Sequence, residues 1–170
     1  MKTLTTINLN EAFGFATIVA ALEVVRANLA VPFSEVDLWK GLFLLYFFVF
    51  RVKMYIDDSN HHFSETRLAE IGVAIASWIA FLISVSAVTR GINVAIEWFI
   101  LAMVLSTVWV ILAWRKATIA SVNRYRWFFV VNVLHIAGLA IALWIPVVLV
   151  PLTIFVFADA VATKTSFKVE

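Results

Sequence analysis

Residues Trp127 to Ala162 read WFFVVNVLHIAGLAIALWIPVVLVPLTIFVFADAVA, and how this stretch divides decides the fold. It is almost unbroken in apolar character and too long for one ordinary membrane span, because a hydrocarbon core of about 30 Å is crossed by roughly 20 helical residues. Pro146 and Pro151 fall near its middle. A proline removes a backbone donor and drives the residue before it away from helical geometry. The segment WIPVVLVP therefore predicts a tight hairpin between two spans, the alternative being one long kinked helix.

Four further blocks of the same kind lie near 12–32, 37–56, 69–88 and 92–114. With 126–144 and 146–163 they make six transmembrane helices, or five if the last two are one. Composition agrees: 64% of residues are hydrophobic, 14% are charged and the mean hydropathy is +0.99. Soluble chains run at roughly 45–50% apolar and about 25% charged. The fold class expected is all-α, a polytopic membrane helical bundle. No Gly/Ser-rich linker, charge run or internal repeat divides the chain, so residues 1–170 read as one integral membrane domain. The first block follows a polar NLNEA segment and has no convincing small-residue cleavage site, which predicts a retained helix rather than a signal peptide.

Charge placement orients the bundle. With the amino terminus inside, Lys2, Arg51, Lys53, Arg67, Arg115, Lys116, Arg124, Arg126, Lys164 and Lys168 all fall in cytoplasmic segments. Lys40 and Arg90 alone face outward. Such a bias predicts both termini on the cytoplasmic side of the membrane. Trp39 and Trp144 then lie at the outer interface and Trp114 and Trp127 at the inner one, where amphipathic rings prefer to sit. A net charge of +2 gives no reason to expect nucleic acid as a partner, and the absence of cysteine removes disulfides, thiolate metal sites and cysteine catalysis. Nor can five unclustered glycines form a nucleotide cradle, and no cofactor is expected. The segments around Asp57–Arg67 and Thr118–Tyr125 are too short for a soluble catalytic domain, so any activity belongs in or at the bilayer.

Ionisable groups inside apolar blocks are costly and face protein or water. Glu23 and Arg26, three apart in the first block, share a helical face and form a candidate internal pair; snorkelling of Arg26 is the structural alternative. His135 is the most deeply placed titratable group outside that block, with a hydrogen bond between helices as its structural explanation. Glu97 reads as interfacial, and Asp159, near the inner end of the sixth block, reads as wetted. The segment RVKMYIDDSNHHF at Arg51–Phe63 offers the one metal-like grouping. If the second helix continues past Tyr55, Asp57 and His61 are four apart, as are Asp58 and His62, giving oxygen and nitrogen on one face. The spacing suits a metal but is incomplete, since a stable site takes four or more ligands and the only other histidine, His135, lies deep in another block; a solvated cytoplasmic helix end explains the same residues.

NEAFGFATIVAALEVVRANLAVPF, at Asn10–Phe33, resembles the first helix of the bacterial transmembrane-protein-175-like potassium channels, and HHF at His61–Phe63 is similar to their paired histidines at the end of helix two. Gly14 and Phe15 stand where that family has serine and aspartate, and its upstream arginine is absent. The resemblance implies an oligomer whose first helices surround a pore, with a hydrophobic constriction at residues such as Ile18, Leu22 and Val25; potassium selectivity is not part of what it implies. The reading this supports is a small oligomeric ion channel or transport protein, for a cation rather than an anion. A non-catalytic membrane subunit, assembling with membrane or cytoplasmic protein partners, is the alternative, and a metal-dependent membrane enzyme centred on Asp57, Asp58, His61 and His62 is the third.

Overall fold

A computed structural model describes residues 38–59, 68–115 and 119–166, together with four helical positions at 18, 19, 22 and 26. Among these residues there are only helices and turns. Helix α1 runs Leu38–Ser59, α2 Leu68–Ala87, α3 Ile92–Trp114 and α4 Ile119–Ala142. A 3-10 turn at Pro146–Val148 then leads into α5, Leu149–Ser166.

Among the described residues three helices are long and apolar enough to cross a membrane: the spans are Glu70–Ala87, Ile92–Trp114 and Val122–Ala142. The apolar stretch Pro146–Ala162 is shorter. Helix α1 has the length of a span but carries Lys40, Arg51, Lys53, Asp57 and Asp58. The outward faces are strongly apolar. Leu101, Val104 and Val108 are exposed along α3, Val130, Val133, Leu134 and Ile141 along α4, and Val147, Val150, Ile154, Phe157 and Val161 along the last segment. These recur at the three- and four-residue spacing of one helical stripe.

Side chains fix the direction of each helix. Ser84 Oγ donates to Ala95 O at 2.7 Å and Ser77 Oγ to Ala102 O at 2.9 Å, so numbers fall along α2 as they rise along α3: an antiparallel hairpin. Hydroxyls bonded across helices supply the glue that hydrophobicity cannot, since lipid is as apolar as the helix surface. The hairpin turns through Val88–Arg90 into Gly91, whose φ of 150° and ψ of 146° lie where side-chain-bearing residues rarely go.

The stretch around Pro146 does reverse. Helix α4 ends at Ala142, and Ile145 takes φ −132° and ψ 82° before the 3-10 turn, as a residue preceding proline must. Beyond it, Leu152 packs on Gly138, Phe155 lies against His135 and Asp159 meets Trp127. Those partners descend as α5 ascends, so α4 and α5 are antiparallel and a single kinked helix is excluded. Gly138 is where they touch: a Cβ there would stand 2.6 Å from Leu152 Cδ2. Tyr46 meets His135 while Lys53 lies over Phe128, making α1 antiparallel to α4 and parallel to α5. Helices α1, α3 and α5 thus descend together and α2 and α4 rise between them.

The centre is aromatic. Phe43, Tyr46, Phe47 and Phe50 of α1 converge on Phe99 of α3, with Phe81 of α2 at 5.0 Å centroid distance from Phe99. Most of these pairs are edge-to-face or tilted, arrangements worth about 0.5–1.5 kcal/mol each beyond burial.

Candidate functional site

Within this apolar bundle the polar groups lie in two tiers. The upper tier is Tyr46 of α1 and His135 of α4, both fully buried, with Tyr46 Oη and His135 Nδ1 2.9 Å apart. At 1.5 Å per residue, both sit about 10 Å below the end of the bundle marked by Leu38 and Ala142. Rings of Phe50 and Phe155 enclose the imidazole at 5.1 and 5.4 Å. His135 Nε2 is buried and makes no hydrogen bond among the described residues.

The lower tier, about 20 Å below that end, is an ion pair. Lys53 Nζ of α1 lies 2.8 Å from Asp159 Oδ2 of α5, with side chains 5% and 3% exposed. From α4, Trp127 Nε1–H donates to Asp159 Oδ1 at 3.2 Å. Lys53 also stands over the Phe128 ring, 5.7 Å from its centroid, and Arg51 over Phe81 at 4.9 Å. Three helices thus close on one carboxylate. The charges of this pair are also the ones whose fields reach the His135 ring.

Sequence position alone misplaces these residues. Arg51 and Lys53, expected in a cytoplasmic segment, are both 4% exposed, because α1 continues as helix to Ser59 and carries them into the bundle. Asp159, expected to be wetted, is 6% exposed, because the reversal at Pro146 turns it onto α1 and α4 rather than outward. Each correction has the same cause: a charge near a span's end is held inside when a partner on another helix meets it.

Beside the pair a small cleft, with about 40 Å³ of room for water-sized groups, opens between α1, α3 and α4. Phe50, Lys53, Ser106, Trp109, Phe128 and Asn132 line it. Ser106 and Asn132 are each 8% exposed, and the hydrogen bonds of the described residues include neither side chain.

Known protein families, characterised proteins and solved structures offer no match to this chain. The channel resemblance therefore stands on Asn10–Phe33 and His61–Phe63 alone.

The sequence candidates are scattered relative to this site. His135 belongs to the upper tier. Ile18 is half-buried, while Leu22 and Arg26 are exposed on a helical backbone; Glu23 and Val25 lie outside the described residues. Asp57 and Asp58 fall on the helical backbone of α1, as the four-residue spacing requires, but His61 and His62 lie outside the described residues. Among the described residues no three histidine or acidic side chains converge as metal ligands. Glu97 is exposed on α3, at the end where Trp144 is 87% exposed. Tyr46, Ser106, Trp127 and Asn132 carried no signal as site residues, since single polar groups in apolar blocks become a site only through neighbours on other helices.

Proposed function

We propose that this chain is the subunit of a small oligomeric membrane transport protein in which ions exchange at the Lys53–Asp159 pair. The observation that carries the reading is that pair: two opposite charges joined at 2.8 Å inside an apolar bundle, beside a cleft that reaches the surface. Removing both charges from water costs several kcal/mol per ion, and apolar substitutes often stabilise as well or better. A membrane helix keeps such groups where charge must be handled, at ion paths and proton relays.

Six helices crossing a bacterial inner membrane, with both termini cytoplasmic, complete the reading. Helix α1 has the length of a span, and its buried lysine is neutralised by Asp159. The first block supplies the sixth helix and, through its likeness to the channel family, the reason to expect an oligomer. That likeness favours a cation at Ile18, Leu22 and Val25; the Lys53–Asp159 tier is a second, independent place at which an ion is handled.

Purified protein reconstituted in liposomes tests this by proton, potassium, sodium and chloride flux. Flux that collapses in Asp159→Asn, in protein that still elutes as a single folded species, is the expected result. No flux of any ion at high protein density would sink the transport reading and leave the partner-assembling subunit in its place.

A further inference from the structure

We infer that the cleft between α2 and α3 at the Val88–Gly91 turn is a binding site for an anionic glycerophospholipid, with the lipid phosphate on Arg90 and the ester and acyl region against Trp98, Leu82 and Ile83. The site lies on a different helix pair from Lys53 and Asp159 and stands without the transport reading.

Leu82, Ile83, Ser86, Ala87, Arg90 and Trp98 line this cleft, which has about 310 Å³ of room for water-sized groups. A single water needs only about 10–15 Å³ of such room, so the space suits an organic group of many atoms. Its lining changes with depth. Arg90 is in the turn itself, while Leu82 and Trp98 lie about 8–9 Å further in, at 1.5 Å per helical residue. A phospholipid presents its groups in the same order, phosphate first, then ester carbonyls, then acyl chain. The indole of Trp98 suits the middle level, where one ring offers both an apolar body and an N–H donor.

The donors at this end are uncommitted where a lipid would meet them. Arg90 is exposed, and among the described residues neither its guanidinium nor Trp98 Nε1–H is engaged in an ion pair or hydrogen bond. The neighbouring hydroxyls are spent on their own backbone: Ser86 Oγ donates to Leu82 O at 2.9 Å and Thr89 Oγ1 to Ser86 O at 3.0 Å. That leaves Arg90, whose planar fork matches phosphate oxygens, and Trp98 as the groups facing a ligand.

Charge selects among lipids. No carboxylate lines the cleft, and Glu97, next to Trp98 in the chain, is not among the lining residues. The cleft is therefore positive. A zwitterionic lipid neutralises its own phosphate, whereas an anionic one leaves its charge to Arg90. Membrane orientation does not account for this arginine either, since the lysine and arginine excess that orients the bundle lies at the opposite end. Free phosphate would satisfy Arg90 but leave Leu82 and Ile83 uncovered, so the apolar depth of the cleft calls for a chain-bearing ligand.

Delipidated protein in an uncharged detergent is titrated with dioctanoyl phosphatidylglycerol, with dioctanoyl phosphatidylcholine and with glycerol phosphate. Native mass spectrometry counts the molecules retained, and melting temperature follows saturation. Phosphatidylglycerol should be retained and stabilise at concentrations where the other two do neither, with an affinity that falls as salt rises. Arg90→Gln should weaken its binding about fivefold, while the melting temperature without lipid stays that of the parent, because Arg90 is exposed. Trp98→Phe should weaken it less, and Arg90→Lys should recover part of the loss. Equal retention of phosphatidylcholine, unchanged phosphatidylglycerol binding in Arg90→Gln, or no saturable binding of any lipid each overturns the inference. Displacement of the lipid by glycerol phosphate at equal concentration overturns it as well, since the site would then be one for the anion alone.

Discussion

Lys53 and Asp159 set the energetic character of the molecule at the residue scale. An ion pair 2.8 Å long and almost wholly buried is held by mutual compensation, so removing one partner strands the other in an apolar interior. Lys53→Met or Asp159→Leu alone should therefore destabilise the protein by about 3–5 kcal/mol, whereas the double replacement should be neutral or stabilising by about 1–4 kcal/mol. Thermal unfolding in detergent micelles of the two single variants and the double variant forms the test. A double variant as unstable as the sum of the singles would mean that the two charges are not coupled, and would overturn the compensation. Tyr46 and His135 behave differently, sharing one hydrogen bond. Tyr46→Phe removes the hydroxyl, leaves His135 Nδ1 without this partner beside an already unbonded Nε2, and should cost about 1–3 kcal/mol. The same melts measure it, with His135→Leu in the Tyr46→Phe background recovering part of the loss.

Helix contacts decide at the next scale whether those residues meet at all. Gly138 lets α4 and α5 approach until Leu152 fills the space a side chain would need. Gly138→Ala should overpack this contact and cost about 1–3 kcal/mol, and Leu152→Val in the same chain should restore much of it. Melting temperatures of the single and double variants decide this, since a Gly138→Ala protein as stable as the parent would place the crossing elsewhere. This level also shows how far sequence reading reaches. The block expected at 92–114 is α3, Ile92–Trp114, and the block at 69–88 is α2, Leu68–Ala87, because hydropathy and the Thr89–Gly91 break are local properties of the chain. The reversal at Pro146 was legible for the same reason, since proline acts on its immediate neighbours. The boundary of α1 was not, because Arg51, Lys53, Asp57 and Asp58 read as the polar end of a span, and Asp159, which pairs with Lys53 inside the bundle, lies more than a hundred residues away. His135 was legible as a buried polar group, but its partner Tyr46 lay hidden among the aromatics of LFLLYFFVF.

At the scale of the whole molecule the constraint is alternation. Since α1, α3 and α5 run one way and α2 and α4 the other, the Val88–Gly91 turn and the Leu143–Val148 turn share one end of the bundle, and Arg115 lies at the opposite end. The chain contains no cysteine, so single cysteines can report sidedness without any background substitution. In sealed inside-out vesicles, a membrane-impermeant maleimide should label Arg115→Cys and spare Thr89→Cys and Trp144→Cys, with the pattern inverting in right-side-out spheroplasts. Thr89, Trp144 and Arg115 are all exposed, so failure to label reflects the side of the membrane rather than burial. Joint labelling of Thr89→Cys and Trp144→Cys follows from the contacts between helices alone, whereas the side on which they label follows from the excess of lysine and arginine at the other end. The two outcomes therefore separate: Thr89→Cys and Trp144→Cys labelling from opposite sides would break the helix alternation itself, while joint labelling from the cytoplasmic side would keep the bundle and invert its orientation.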